Sequence, residues 1–540
     1  MTSRFPLPWL SFGLLLFALS GCGEADGPGV AASSEDTPVL RRGNGGEPGT
    51  LDPALAEDIH AFNVLRDLYE GLVSEAADGS LVPGVARRWD VTDDGLQYTF
   101  QLRDDALWSD GSSLVADDFV ATLRRALSPD SQSPYAFLLH PILNARAVAN
   151  GEMSLAELGV RALDSKTLQI DLHSPADYFA GILAMPIAFP LFQAEALDAG
   201  QFSDPESFVG NGAYVLKERQ VGLRIRLEKN PRFRDAGTVS VPIVDYLPIE
   251  DPDTEYRMYR AGDLDITATI PPAQIASIRS SRPEEARISP SLALYYIALD
   301  LSELPMSDAP LRRALSMAID REVLVDLIGR GEQPAYGVVP DGVSGHTGAR
   351  FNWQQESQSD RHQRARALYA EAGYGPEKPL RFTLMYDVGD IHETVALTVT
   401  AMWRDVLGAD VTLDKREWKY FLDTRNNRAE WQAMRFAWFG DYNDASTFLD
   451  IFRSDSPQNL SGFRSPEYDG LLDSATRTLD SVTRSQYMHE AELHLLDASP
   501  IIPLYFFVSK HLVSPRVTNY ESNILDVHRS QHIELTGVQP

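Results

Sequence analysis

The sequence contains a single cysteine, Cys22, among its 540 residues. One cysteine excludes an internal disulfide, a cysteine-rich zinc site and a Cys-x-x-Cys redox pair. Charged residues are also sparse, at 23%, while hydrophobic residues reach 44%, which excludes a disordered or coiled-coil chain. At roughly 150 residues per domain, the length predicts three or four domain-sized units.

Long hydrophobic runs are absent, with one short exception at the N-terminus. Residues 7–19 are almost wholly apolar, and Arg4 is the only charged residue before Cys22. This run is too short to cross a bilayer, which takes roughly 20 residues, but it suits the hydrophobic region of a signal peptide. No later segment approaches 18 consecutive apolar residues, so the sequence predicts a soluble body after the leader.

Positive charge is scarce relative to negative charge. The chain has 48 Lys and Arg against 77 Asp and Glu, a formal net charge of −29 at pH 7. An acidic body disfavours nucleic acid as a partner and disfavours adsorption onto anionic lipid. We interpret the acidity as a contribution to solubility and not as the sign of a cationic ligand.

The motifs of several catalytic classes are also missing. The chain has no Gly-x-Ser-x-Gly nucleophile elbow and no phosphate-binding loop. The segment His489-Glu490-Ala491-Glu492-Leu493-His494 has its histidines five apart, whereas zinc capture needs i and i+4 on one helical face, so it predicts a polar helix surface. A dispersed Ser, His and Asp triad stays open, although nothing marks one. We therefore expect a binding protein with no catalytic residues, no metal ion and no cofactor.

Strand and helix patterns alternate along the rest of the chain, which predicts the α/β class. Leu96, Tyr98, Phe100 and Leu102 alternate with polar residues after an Asp-Asp-Gly turn, which is typical of a hairpin strand. Asp308 can cap a helix that continues to Ile319. Strand patterns at 380–386 and 411–413 flank a helix pattern that stops at Gly408, which predicts a parallel βαβ unit.

The end of the N-terminal run resembles a bacterial lipobox. Leu19-Ser20-Gly21-Cys22 places small residues directly before the only cysteine. The resemblance implies that residues 1–21 are a lipoprotein signal peptide and that Cys22 is lipidated, which gives stable anchoring when several acyl chains are attached. Residues 22–37 then form a flexible linker rich in Gly, Ala, Ser and acidic residues. The alternative is an ordinary secreted protein with a chance cysteine.

A long colinear series of short motifs resembles the bacterial extracellular solute-binding proteins of family five, and within that family the oligopeptide-binding receptors of ABC importers. The series covers residues from about 38 to near the C-terminus. It consists of Trp89, Trp108-Ser109-Asp110-Gly111, Ala116-Asp117-Asp118-Phe119, Asn211-Gly212-Ala213-Tyr214, Asn230-Pro231, Ala261-Gly262-Asp263-Leu264-Asp265, the stretch 417–425 and the stretch 440–449.

This resemblance implies a two-lobed α/β clamp of the periplasmic-binding-protein type (type II, cluster C) with an extra domain inserted in lobe I. Lobe I would combine residues 38–59, 191–291 and 509–540. The extra domain would be 60–190, and lobe II would be 292–508. Such lobes close on a ligand about a hinge.

The resemblance also assigns residues to the two ends of a bound peptide. Asp441 would hold the α-ammonium group, and Arg435 would neutralise Asp441 when no peptide is present; the alternative for Arg435 is a structural ion pair. Arg425 and His392 would face the C-terminal carboxylate, because a guanidinium can bind a carboxylate through two hydrogen bonds. A lysine that the family has near this end lacks a clear counterpart around residues 329–331, where Arg330 would replace it.

Four further residues are assigned to the backbone and side chains of the ligand. Trp418 would line a side-chain pocket, and Tyr135 is a weaker candidate for contact. Glu47 and Phe439 would contribute through their main chains. The alternative for Trp418 is core packing, the alternative for His392 is a surface position at a helix N-terminus, and the alternative for Asp441 is a helix cap or a turn.

We therefore expect a monomeric, lipid-anchored receptor in the periplasm or at the cell surface of a bacterium. It would capture short peptides and deliver them to the permease subunits of an ABC importer, without nucleic acid as a partner. The alternatives are a receptor for dipeptides, cell-wall peptides or nickel chelates on the same fold, and an extracellular peptidase.

Overall fold

The structure is a computed structural model that describes residues 37–194, 202–417, 420–421, 424 and 431–536. The predicted signal peptide, Cys22, nearly all of the linker, Trp418 and Arg425 lie outside the described residues. None of the helices in the described ranges is both long enough and apolar enough to cross a bilayer.

The described residues form strands throughout their length. In chain order they are β1 (Val39–Gly43), β2 (Val73–Glu75), β3 (Leu81–Pro83), β4 (Ala86–Val91), β5 (Gln97–Leu102), β6 (Val160–Asp164), β7 (Thr167–Asp171), β8 (Tyr214–Gln220), β9 (Arg224–Lys229), β10 (Ile243–Leu247), β11 (Ala286–Leu299), β12 (Gln333–Pro334), β13 (Arg381–Asp387), β14 (Asp410–Arg416), β15 (Ala433–Phe439), β16 (Ile501–Leu512), β17 (Val517–Thr518) and β18 (Glu534–Leu535).

The helices are distributed between these strands. They are α1 (Ile59–Leu68), α2 (Ala116–Ala126), α3 (Ala145–Ala149), α4 (Phe179–Ile182), α5 (Pro252–Ala261), α6 (Ile275–Ser281), α7 (Ala309–Met317), α8 (Arg321–Ile328), α9 (Gln358–Glu371), α10 (Asp390–Leu407), α11 (Ser446–Leu449), α12 (Pro466–Arg477) and α13 (Ser481–Ala498). Short 3-10 turns lie at Ala136–Leu139, Leu155–Glu157, Pro186–Ala188, Ala236–Thr238, Pro272–Gln274, Asp450–Phe452 and Ser530–His532.

Three larger sheets organise the described residues. One has the order β1-β10-β9-β8, a second has the order β4-β5-β7-β6, and the six-stranded sheet has the order β12-β16-β11-β15-β13-β14. Each sheet is lined by its own buried apolar cluster. The arrangement is a two-lobed α/β clamp with an additional domain, as the sequence predicts.

The long strands β11 and β16 link the six-stranded sheet to the sheet that contains β1. They pair with each other in antiparallel fashion between Ala286 and Ala298. Just beyond the end of β16, Val513 bridges to Ile266, which in turn bridges to Arg42 of β1. Two adjacent strands thus carry the chain from one sheet to the other, which is the connection that a hinge between lobes requires.

The local patterns predicted from the sequence account for the elements around the six-stranded sheet. Asp308 caps α7 by accepting a hydrogen bond from the backbone N–H of Leu311 at 3.0 Å. Strands β13 and β14 pair in parallel with α10 between them, which confirms the βαβ unit. The hairpin of β4 and β5 is also confirmed, and its turn places Gly95 at φ +69°.

The prediction of a polar surface around His489 and His494 is wrong for Glu492. This residue of α13 is fully buried. Its carboxylate accepts hydrogen bonds from the backbone N–H groups of Val338 at 2.8 Å and Ala349 at 2.7 Å. The segment around 338–349 has few sheet or helix partners for its N–H groups, so a buried acceptor satisfies them.

Candidate functional site

Asp441 lies in the turn that follows β15, and it is partly buried. Burial raises the pKa of Asp441 to about 6, because a charged carboxylate is poorly solvated there. Its backbone N–H donates to Thr447 Oγ1 at 3.3 Å. The ion pairs formed among the described residues do not include Asp441. A partly desolvated carboxyl group of this kind is well placed to receive a cation from a ligand.

The turn that carries Asp441 is held from two sides. The ring of Tyr442 stacks on Tyr178 with centroids 4.5 Å apart. Arg484 donates to both carboxylate oxygens of Asp444 at 2.8 and 2.9 Å, and its Nε lies 3.3 Å from Asp177. The segment after β7 and helix α13 therefore fix the position of the turn that contains Asp441.

Arg435 is paired with Asp387 and not with Asp441. The Arg435 guanidinium donates to the Asp387 carboxylate at the end of β13, and both side chains are largely buried. It also lies over the rings of Phe421 at 5.2 Å and Tyr295 at 5.9 Å. The expectation that Arg435 neutralises Asp441 is therefore not met, because β15 directs the Arg435 side chain toward the neighbouring strand β13.

His392 occupies the first turn of α10, next to the Arg435–Asp387 pair. Its Nδ1 lies 3.1 Å from the hydroxyl of Tyr295, and its Nε2 lies 3.9 Å from Asp387 Oδ2. Burial, together with the positive charges of Arg435 and Arg330, lowers the pKa of His392 to about 4. The imidazole is therefore neutral at pH 7, and it is not the exposed surface histidine that was the alternative.

Aromatic rings pack next to these polar groups. Tyr295 stacks on Tyr505 with centroids 4.7 Å apart, and Phe507 packs against Phe439 at 5.1 Å. Phe439 is 60% exposed at the end of β15. An exposed aromatic ring beside a set of cationic and neutral donors provides both apolar and polar contacts for a ligand.

Glu47 and Tyr135, the two remaining described candidates, have different surroundings. The Glu47 carboxylate accepts from Arg219 at 3.1 Å and from the backbone N–H of Gly222 at 3.1 Å, so its side chain fixes the β8–β9 hairpin. Burial raises the pKa of Tyr135, and the charge of nearby Asp441 raises it further. The structure thus brings Tyr135 and Asp441 into electrostatic range of each other.

The described site residues therefore form two groups. Arg330, His392 and Arg435 lie together with Asp387, and Asp441 lies beyond the end of β15, within electrostatic range of Tyr135. Arg435 and Asp441 are six residues apart in the sequence, so they are separated by at most about 20 Å at the rise of an extended strand. This value is an upper limit on the distance between the two groups.

Sequence reasoning missed Asp387, Tyr295 and Tyr505. Asp387 did carry a signal, since it ends a strand of a βαβ unit, where ligand sites of open α/β sheets collect. The two tyrosines lie inside long buried strands, and their alternation with apolar neighbours marks them as core residues. Trp418 and Arg425 lie outside the described residues, so their predicted roles stay predictions.

Comparisons with known proteins identify the family of the chain. A sequence model of the bacterial extracellular solute-binding proteins, family 5 (middle), matches residues 80–459. The periplasmic murein peptide-binding protein MppA of Escherichia coli is 37% identical over 480 residues, which are 88% of this chain and 89% of MppA. The solved unliganded open form of an MppA murein tripeptide-binding protein is similar, with a TM-score of 0.85 and 36% identity, over 94% of this chain and 98% of that one.

Two other relatives are named for different ligands. The periplasmic oligopeptide-binding protein OppA of Salmonella typhimurium is 36% identical over 94% of this chain and 93% of its own. The probable deoxycholate-binding periplasmic protein YgiS of Escherichia coli is 38% identical over 89% of this chain and 90% of its own. The chain belongs to the bacterial extracellular solute-binding proteins of family 5 and has the fold of their peptide-binding members.

Proposed function

We propose that this protein is a lipid-anchored receptor that captures short peptides and delivers them to the permease of an ABC importer. Its relatives MppA and OppA are named for murein peptides and oligopeptides. Lobe closure would clamp the peptide by its two termini and its backbone. Side chains would then occupy roomier, hydrated spaces, which permits many sequences to bind.

The observation that carries the proposal is the partly buried carboxyl group of Asp441, whose pKa is raised by desolvation and which forms no ion pair with the described residues. Enclosing a carboxylate without a cation is costly, and the α-ammonium group of a peptide is a cation with three N–H donors. Binding therefore supplies the charge that the protein itself does not place beside Asp441.

The carboxylate of the peptide would be received at the other end of β15. Arg330 and the neutral imidazole of His392 lie there, and Arg425 is the predicted bidentate partner. Arg435 already has a carboxylate partner in Asp387, so its role is to hold the local charge balance and not to receive the ligand's charge alone. Glu47 and Phe439 would offer main-chain groups, while Tyr135 and Trp418 would line side-chain spaces.

The test is calorimetric titration with a tripeptide in free, N-acetylated and C-amidated forms. The free peptide should bind most tightly, and each blocked form should bind more weakly. Asp441→Ala should weaken the free peptide by about 2–5 kcal/mol, the range for removing one partner of a buried charge pair. Asp405→Ala is the matched control, because that carboxylate is 69% exposed on α10. Equal affinity for free and blocked peptides would contradict the proposal.

A bile acid is a second candidate ligand, because the YgiS relative is named for deoxycholate. Deoxycholate carries a carboxylate but no ammonium group, so it would use only the Arg330 and His392 end. Deoxycholate binding that is tighter than peptide binding and unchanged in Asp441→Ala would favour this function over the peptide receptor.

Mass spectrometry of the bound ligands distinguishes the remaining alternatives. These are a peptidase, a receptor for dipeptides or cell-wall peptides, and a receptor for nickel chelates. A peptide pool is incubated with the protein and then released by denaturation. A receptor returns the peptides at their original masses, and the masses retained report whether dipeptides, longer peptides or cell-wall fragments are preferred. Shortened peptides would indicate a peptidase, and a retained nickel chelate would indicate the metal-transport alternative.

A further inference from the structure

A group of metal-ligating side chains lies outside the proposed peptide site. His511 is near the end of β16, and Asp526 and His528 follow in the C-terminal segment. One ligand atom from each residue lies within 4.8 Å of the other two. Both His511 Nε2 and His528 Nε2 approach the same oxygen, Asp526 Oδ1, at 2.9 and 3.0 Å.

The second ring nitrogen of His511 already takes part in a hydrogen bond. Its Nδ1 lies 2.8 Å from the backbone carbonyl oxygen of Thr267. A carbonyl oxygen only accepts hydrogen bonds, so Nδ1 carries the hydrogen and donates it. In the neutral ring, Nε2 then presents a lone pair to the Asp526 carboxylate. Two lone pairs face each other favourably only when a proton or a metal ion lies between them.

This arrangement of His511 is the one found around histidine ligands of metals. A ligating histidine donates its other ring N–H to a carbonyl or carboxylate, which fixes the tautomer and the direction of the free nitrogen. In tetrahedral zinc sites, bonds of about 2.0–2.2 Å place neighbouring ligand atoms about 3.3 Å apart. The present spacings of 2.9 and 3.0 Å need to open by only a few tenths of an ångström.

The two histidines of the cluster are largely enclosed by the protein, whereas its aspartate is partly open to solvent. The side chains of His511 and His528 are 13% and 7% exposed, whereas Asp526 is 30% exposed and leaves an approach for an ion and a water ligand. The ring of Tyr520 stacks on His528 with centroids 4.2 Å apart. Its buried hydroxyl oxygen has no hydrogen-bond partner among the described residues. Such an atom is a mark of an additional bound water or ion.

We propose that His511, Asp526 and His528 form a binding site for a divalent transition metal ion of the Zn²⁺ type. Two imidazole nitrogens and one carboxylate oxygen suit Zn²⁺ and its neighbours better than Ca²⁺ or Mg²⁺, which prefer all-oxygen ligands. The ion would join β16 to the C-terminal segment, 15 residues away in the sequence. A sequence search for closely spaced ligands does not detect such a site, because its first two ligands are brought together only by the fold.

The first test is calorimetric titration of the purified, chelator-treated protein with Zn²⁺ alone. We expect one equivalent of Zn²⁺ to bind to the parent protein and the affinity to fall at least tenfold in both His511→Gln and His528→Gln. The control is His489→Gln, which removes a partly exposed histidine outside the cluster, whose Nδ1 contacts the Thr347 carbonyl. Absence of stoichiometric binding in the parent, or unchanged affinity in both cluster variants, would overturn the proposal.

A second measurement does not depend on the folding of the variants. Crystals of the parent protein are soaked in Zn²⁺, and anomalous scattering at the zinc edge locates the ion. A peak between His511 Nε2, Asp526 Oδ1 and His528 Nε2 supports the site. A peak only at other positions would show that the cluster is a hydrogen-bonded charge network and not a transition-metal site.

Discussion

Asp387 at the end of β13 and Asp441 just beyond the end of β15 have opposite surroundings. Asp387 is met by the guanidinium of Arg435, so its charge is balanced within the protein. Asp441 is only partly buried, and burial alone determines the direction of its pKa shift. For a ligand, the important difference between them is that Asp441 has no cationic partner among the described residues. A ligand that brings a cation therefore gains more at Asp441 than at Asp387.

The raised pKa of Asp441 predicts that peptide affinity depends on pH. The ammonium group needs the ionised carboxylate, and in the free protein this form is lost as pH falls through about 6. At pH 5 about a tenth of the protein is ionised at Asp441, so affinity for a free-amino peptide should be about tenfold weaker than at pH 7. Calorimetry at the two pH values measures the ratio.

The control for this pH dependence is Asp441→Asn, which keeps the shape of the side chain but cannot ionise. Its affinity should be low at both pH values, with a ratio near one. A tenfold ratio that persists in Asp441→Asn would assign the dependence to another group and contradict the role of Asp441. An N-acetylated peptide should likewise show no loss of affinity in the parent protein at pH 5.

At the scale of secondary-structure elements, the turn after β15 depends on close backbone approach. The N–H of Gly440 donates to the carbonyl of Leu292 on β11 at 2.7 Å. A Cβ atom at Gly440 would lie 2.5 Å from Leu292 Cδ2 and 2.9 Å from Thr447 Cγ2. Glycine is needed here because neighbouring side chains fill the space, and the same contacts fix the position of Asp441.

Gly440→Ala should therefore destabilise the protein by about 1–3 kcal/mol, the usual cost of overpacking a filled site. It should also weaken peptide binding, because Asp441 is the next residue. Gly470→Ala is the matched control: it lies in α12, its Cβ would meet nothing within 4 Å, and it should stabilise by about 0.5–1 kcal/mol. Thermal unfolding and calorimetry measure both effects. Equal unfolding midpoints for the two variants would contradict this explanation.

The elements that could be predicted from the sequence are those whose signals are local. The β4–β5 hairpin has alternation and a turn glycine, α7 has a capping aspartate, and the βαβ unit has both periods in sequence. Glu492 could not be predicted in the same way. It shares the buried face of α13 with Met488, Leu495 and Leu496, but only the distant segment at 338–349 explains why a carboxylate is tolerated there.

The site shows the same division between local and distant information. Motif similarity predicted ligand contacts for Asp441 and His392, and the structure places Asp441 in the turn after β15 and His392 in the first turn of α10, both partly buried. The partner of Arg435 was predicted incorrectly, because the choice between Asp387 and Asp441 depends on which way each strand directs its side chains. Pairing between sheet strands is a long-range property that residue spacing alone does not specify.

At the scale of the whole molecule, the two long strands β11 and β16 connect the sheets and also carry groups of the site. Tyr295 lies on β11 and Tyr505 on β16, and they stack beneath His392 and Arg435. Relative movement of the lobes would therefore displace the residues around His392 and Arg435. The segment boundaries proposed for the lobes, 38–59, 191–291 and 509–540 against 292–508, remain predictions.

The final prediction concerns the tether that would keep this receptor near its importer. If Cys22 is lipidated, Cys22→Ser should move the protein from the membrane fraction to the soluble fraction, since several acyl chains supply the anchoring. Peptide affinity should be unchanged, while peptide uptake by cells should fall, because the receptor is no longer concentrated at the membrane. Ser33→Ala in the linker is the control and should stay with the membrane. Membrane retention of Cys22→Ser, or a parent protein whose mass shows no lipid, would contradict the anchor.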